Sequence, residues 1–245
     1  MFKKLAASAL FALSSLTAQA GVLVDVELQL LADVSGSVDS TEYNLQLKGY
    51  ADAFRSTDVQ NAILAGTNGG IAVQYIEWST SQQVQLDWTL IDSVAAANAF
   101  ADALENVARA FQSMTNLDDA IDFGVAEFAN NGFDSSRQVI DVSGDGKTNN
   151  GGNATTTSTA RDNAFNAGID TINGITIGNE SGLQQFYQDN VVGGYRSFHL
   201  HAATFADFQD GIERKLIREI TSVPAPGTLA VMGLALFAFA RIRKS

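Results

Sequence analysis

The chain of 245 residues contains no cysteine, so neither disulfides nor thiolate metal sites are open to it. Its two prolines, Pro224 and Pro226, lie close to the C-terminus. Residues 21–221 hold none and show no low-complexity linker, so this stretch reads as one domain. Positive charge is also scarce. Of 15 Lys and Arg residues, five sit at the two ends (Lys3, Lys4, Arg241, Arg243, Lys244), while all 27 Asp and Glu lie between them. Ten bases against 27 acids leave the middle of the chain with a net charge of −17. Such a surface repels nucleic acid and anionic membranes, and it suits divalent cations. With no crosslinks, stability must come from an ordinary core, for which about 200 residues suffice.

Long apolar runs occur only at the ends. Lys3 and Lys4 precede the apolar stretch Leu5–Leu16, and Ala18-Gln19-Ala20 supplies a small-x-small cleavage pattern. Residues 1–20 therefore read as a secretory signal peptide, with the mature protein beginning at Gly21. At the other end, residues 222–245 place Pro224 and Pro226 before the uncharged run Thr228–Ala240 and close on Arg241, Arg243 and Lys244. Thirteen residues make a helix of about 20 Å, short against a hydrocarbon core of about 30 Å. Basic residues beyond an apolar segment keep that end cytoplasmic. The layout suits transient insertion in the inner membrane and resembles the PEP-CTERM sorting signal, although Ala225 stands where Glu is usual. The resemblance implies removal of the tail by an exosortase-like protease after about Pro226, and delivery to the cell surface or extracellular matrix. A plain membrane anchor is the alternative.

Between the ends, strand and helix patterns alternate. Val24, Val26, Leu28 and Leu30 alternate with Asp25, Glu27 and Gln29, then "LLA" runs wholly apolar, as a strand entering a sheet centre does. Tyr43, Leu47, Tyr50, Ala51 and Phe54 form a helical stripe. "GGIAVQYIEWS" and "QQVQLDWTLI" read as a hairpin, followed by a helix over about Ser93–Arg109 and another through Leu117, Ile121, Val125 and Phe128. "RQVIDVSGDG", "DTINGITIG" and "RSFHLHA" are further strands, separated by helices and followed by a last helix through Phe205, Phe208, Ile212, Leu216 and Ile220. The predicted class is α/β: a doubly wound, mostly parallel central sheet flanked by helices, Rossmann-like, with one antiparallel edge strand.

Ligands of such sheets bind beyond the carboxyl ends of the strands, where strand order reverses. "LLADVSGS" and "VIDVSGDG" each leave a buried strand through acids and small polar residues, and Thr115 precedes the helix "NLDDAIDFGVAEF". Asp33, Ser35, Ser37, Thr115 and Asp145 make an all-oxygen set suited to Mg²⁺ or Mn²⁺, with a coordination position left for an outside carboxylate. At these residues the chain resembles the von Willebrand factor type A (VWA) domain and its metal-ion-dependent adhesion site (MIDAS). The likeness extends over residues 24–220, in particular to a bacterial secreted branch of undefined function. It implies those five residues as metal ligands, a protein or glycan partner with an exposed carboxylate, and adhesion without catalysis. Here Ser143-Gly144-Asp145-Gly146 departs from the family's usual Thr-Asp-Gly, so Asp141 is the alternative to Asp145.

Other readings compete. Asp-x-Ser-x-Ser also occurs in turns that cap helices. "GDGKTNN" lacks the first glycine of a phosphate loop and the final Glu of a calcium loop. No Gly-x-Ser-x-Gly elbow is present. A metal-dependent hydrolase would need a second ion, for which Asp39, Asp118 and Asp119 are candidates, although each sits naturally at a helix start. His199 and His201 share a strand face and read as structural, as do Trp78 and Trp88. An empty site in a purely structural domain is the third reading.

Overall fold

The run Glu27–Asp33 becomes a strand because both of its faces are covered; all seven residues are buried. The alternation therefore misleads at Glu27 and Gln29, which lie inside rather than facing solvent. Gln29 Nε2 donates to Gln74 Oε1 and to the Gly124 carbonyl, while Glu27 receives Asn131 Nδ2 and Ser135 Oγ. The Glu27 carboxylate and the Gln29 amide nitrogen are tolerated inside because each finds partners, whereas Gln29 Oε1 has none among the described residues.

The computed structural model describes residues 21–221; the expected signal peptide and C-terminal tail lie outside the described residues. A short β1 (Val22–Leu23) precedes β2 (Glu27–Asp33), and α1 (Ser40–Arg55) and α2 (Thr57–Leu64) lead to β3 (Ile71–Trp78) and its hairpin partner β4 (Gln82–Ile91). Helices α3 (Val94–Glu105) and α4 (Leu117–Ala126) and the short β5 (Phe133–Asp134) precede β6 (Gln138–Gly144). Then come α5 (Ala154–Ala167), β7 (Thr171–Ile177), α6 (Leu183–Asn190), β8 (Gly193–Gly194), β9 (His199–Ala202) and α7 (Phe205–Thr221).

The main sheet runs β4-β3-β2-β6-β7-β8, with β9 also on β7. β3, β2, β6, β7 and β9 are parallel, whereas β4 and the two-residue β8 are antiparallel. One face carries α1, α2, α3 and α7 over a core built on Tyr50, Phe54, Phe100, Phe208 and Leu216. The other carries α4, α5 and α6 over Leu117, Ile121, Ala164 and Tyr187. This is the expected doubly wound α/β arrangement. Two features were not expected: β8, and a separate two-stranded sheet of β1 with β5. From β2 the chain first builds outward through β3 and β4, then returns to β6 on the other side of β2. The carboxyl ends of β2 and β6 therefore flank the switch point.

Candidate metal centre

Asp33 ends β2 and is fully buried. Its Oδ1 accepts the Ser35 amide at 2.8 Å, and this bond turns the chain sharply out of the sheet. Its Oδ2 has no donor among the described residues. A carboxylate in that setting is costly, and burial, helped by the charge of Asp145, pushes its pKa up to about 7.

The remaining four residues form one row beside it. Thr115 Oγ1 donates to Ser35 Oγ at 3.2 Å, Ser35 Oγ and Ser37 Oγ lie 3.1 Å apart, and Ser37 Oγ donates to Asp145 Oδ1 at 2.6 Å. Burial, and then the negative charges of Glu42 and Glu180, also raise the Asp145 pKa. The structure thus brings all five sequence-predicted residues together. Two acids, one with an unsatisfied buried oxygen, beside three hydroxyls, make a donor set that a small hard cation fits. Among the described residues no group of three or more His, Cys, Asp or Glu is placed to hold a metal ion, so an ion here would depend on the hydroxyls.

Several residues that shape this place escaped the sequence reading. The helix expected to reach Arg109 ends at Glu105, capped at Asn106, and Arg109 stands in the following loop. Its Nη2 donates to the carbonyls of Val34, Ser35 and Val38 at 2.7–2.9 Å, and its Nε to that of Phe111. One guanidinium thereby ties the loop bearing Ser35 and Ser37 to the segment leading to Thr115. The Gly36 amide adds a 2.6 Å bond to the Ser113 carbonyl. The segment "GDGKTNN" proves to be a brace: the Thr115 amide donates to Asn149 Oδ1, and the Asn149 amide donates to the Thr115 carbonyl. Nothing in the sequence singles out Arg109 or Asn149, since both act on backbone atoms far away along the chain.

Ser37, Thr115 and Asp145 open into a cleft of about 490 Å³, which Lys147 and Glu180 also line. Lys147 Nζ lies 3.1 Å from Glu180 Oε1 and donates to the Ser181 carbonyl. Beneath the cleft, Gly144 leaves space that a side chain would fill. A Cβ there would stand 2.5 Å from Tyr187 Oη and 3.0 Å from Asp33 Oδ2. Tyr187 is buried, its hydroxyl is unpartnered among the described residues, and burial with the charge of Asp33 raises its pKa.

The other candidates lie elsewhere. Asp39 caps α1, accepting the amides of Thr41 and Glu42. Asp119 receives Asn116 Nδ2, and Asp118 receives the Thr148 hydroxyl. Asp141 is fully buried beside Lys215, 2.5 Å away. His199 Nε2 and His201 Nδ1 share the Thr176 hydroxyl, and burial lowers the His199 pKa to about 4. Trp78 is buried, and Trp88 Nε1 donates to the Glu127 carbonyl.

A family model described as "Protein of unknown function (DUF1194)" matches residues 23–224, and one described as "PEP-CTERM protein-sorting motif" matches residues 222–244. None of the curated proteins matches. Among solved structures, proximal thread matrix protein 1 (PTMP1) from the mussel byssus resembles the chain with a TM-score of 0.60 at 14% identity, over 83% of this chain and 50% of that one. PilB minor pilin from Streptococcus sanguinis has a TM-score of 0.59 at 14% identity, over 84% of this chain and 64% of that one. SpaC pilus adhesin from Lactobacillus rhamnosus GG has a TM-score of 0.57 at 14% identity, over 80% of this chain and 31% of that one. The chain therefore spans half or less of PTMP1 and SpaC. Identities this low establish the fold alone, which is VWA-like, as expected. One PTMP1 structure is described as having a zinc-occupied MIDAS motif.

Proposed function

The chain belongs to the DUF1194 family and ends in a PEP-CTERM sorting motif, and we propose that it is an exported, non-catalytic binding domain that holds an acidic partner group through Mg²⁺ or Mn²⁺. The observation that carries this reading is Asp33 Oδ2, a buried carboxylate oxygen without a donor, set beside the hydroxyl row Ser35, Ser37 and Thr115. Those three hydroxyls with Asp33 and Asp145 would hold the ion. Neutral hydroxyls leave the ion electrophilic enough to accept a carboxylate from a protein or glycan entering the cleft. Lys147 adds a positive charge at the same rim. No catalytic step is assigned, because the acids that a second ion would need are engaged otherwise: Asp39 caps α1, and Asp118 and Asp119 accept local donors.

Residues 1–20 direct export and are removed, residues 21–221 form the binding domain, and residues 222–245 insert transiently in the inner membrane until an exosortase-like protease releases the domain to the cell surface or matrix. Among the described residues no helix is long and apolar enough to cross a membrane. Two experiments test the two halves of the proposal. A partner retained from the cell envelope in Mg²⁺ should be released by chelator and not retained by Thr115→Ala; retention in both cases places recognition elsewhere on the domain. Mass spectrometry of the native protein should find no residues beyond about Pro226. An intact Arg241–Ser245 end in the inner-membrane fraction, with no shortened form elsewhere, would instead make the tail a permanent anchor.

A further inference from the structure

The segment from Gly21 to Leu23 is held by hydrogen bonds more than by burial, since Val22 and Leu23 are half exposed or more, and burial begins only at Val24. Its partner is the turn before and through β5. The Val22 amide donates to the Gly132 carbonyl at 2.8 Å, and the Val24 amide donates to the Asp134 carbonyl at 3.0 Å. The Gly21 nitrogen donates to Asp134 Oδ2 at 2.8 Å. Asp134 thus grips the segment twice, once with its backbone and once with its carboxylate.

That receiving turn is built from beneath. Glu27, buried at the start of β2, accepts Asn131 Nδ2 at 2.6 Å and Ser135 Oγ at 2.7 Å, and Asn131 Oδ1 accepts the Phe133 amide. The turn is therefore fixed independently of Gly21, while the exposed Asp134 carboxylate takes its donor from Gly21 itself. Residue 21 must also be small. A Cβ there would lie 2.7 Å from the Phe133 carbonyl carbon, which cannot yield without disturbing the β1–β5 pairing, and 2.8 Å from Asp134 Oδ2, which would have to swing away from the Gly21 nitrogen. Next to it lies a cavity of about 560 Å³, in which Asp134 is the one charged lining residue among the described residues.

From this geometry we infer that the Asp134 turn is a capture site for the mature α-ammonium group of Gly21. Hydrolysis of the Ala20–Gly21 bond adds water, leaving a carboxylate on Ala20 and an amine on Gly21 that takes up a proton at neutral pH. The neutral amide contact then becomes a charge-assisted ion pair at the same place. Export processing thereby completes the domain, because the leader-bearing precursor can make only the weaker contact. The inference rests on the leader assignment and is independent of the cation site.

N-terminal sequencing of the exported protein comes first: it should begin at Gly21, and any other start overturns the inference. Three chains ending at Ser245 then test the ion pair: one with a free Gly21 amine, one N-acetylated at Gly21, and one retaining Ala20. At neutral pH the free-amine chain should melt a few degrees above the other two. Asp134→Asn should erase that difference. The rate at which an amine-selective acylating reagent modifies Gly21 should rise several-fold in Asp134→Asn, a readout that a merely structural role of the turn would not move. Equal melting of the three chains, a difference that survives Asp134→Asn, or an unchanged acylation rate would each refute capture.

Discussion

Ser37 Oγ donates to Asp145 Oδ1 at 2.6 Å, joining loops that are 108 residues apart in the chain. The bond bridges the loops beyond the carboxyl ends of β2 and β6, the two strands flanking the switch point, and it closes a row of oxygens that begins at Thr115. The first prediction concerns this contact. Asp145→Ala should weaken Mn²⁺ binding at least tenfold by titration calorimetry, about 1.4 kcal/mol, while Asp141→Ala should act on stability alone. Equal loss of affinity in both variants would assign the ligand role to the wrong acid.

Arg109 should matter beyond its charge. Removing its side chain takes the guanidinium donor from the carbonyls of Val34, Ser35, Val38 and Phe111, of which Ser35 keeps the Val38 amide. Arg109→Met should cost about 2–3 kcal/mol in urea unfolding and also reduce Mn²⁺ affinity, because Ser35 and Ser37 lose their register. Arg109→Lys, with a single donor head, should restore only part of either. A variant that loses stability but binds Mn²⁺ normally would limit Arg109 to holding the fold.

The space at Gly144 should be needed empty. In Gly144→Ala the new methyl meets Tyr187 Oη and Asp33 Oδ2. Overpacking of this kind costs about 1–3 kcal/mol and should also diminish the response to Mn²⁺. A variant of unchanged stability and unchanged response would mean that Tyr187 moves freely.

A second buried charge cluster sets a pH dependence. Lys215 Nζ lies 2.5 Å from Asp141 and 2.6 Å from Glu219, all three fully buried. Burial, and then the charge of Asp141, raises the Glu219 pKa from 4.5 to about 7. An acid with a raised folded-state pKa holds its proton better when folded. Its contribution is therefore complete below about 4.5 and is lost as pH rises through about 7. The wild type should lose up to roughly 3 kcal/mol across that window relative to Glu219→Gln. Parallel stability profiles for the two chains would show that Glu219 is not the titrating group.

How far the sequence could be read follows from what each signal depends on. Strands and helices were legible because periodicity reports burial, and the switch point followed from their order. Glu27 and Gln29 misled, since alternation assumes a solvent face that α4 and the turn before β6 deny them. The candidate site residues were visible as small oxygen-bearing side chains just beyond strand ends and, for Thr115, just before α4. Their supports were not, because Arg109 and Asn149 act through backbone carbonyls and amides whose proximity arises only on folding. The Asp134 turn stayed hidden for the same reason: a two-residue strand leaves no period to detect.

The most direct test of the cation site is the melting temperature of the protein in chelator and in Mg²⁺ or Mn²⁺, for the wild type and for Asp33→Asn. The asparagine removes a buried charge whose Oδ2 lacks a donor among the described residues, so without metal the variant should melt no lower than the wild type. At a hundredfold excess of ion over the dissociation constant, the wild type should gain about 2.7 kcal/mol and the variant nothing. A wild type indifferent to both chelator and ion, or an Asp33→Asn variant that gains as much, would contradict the account.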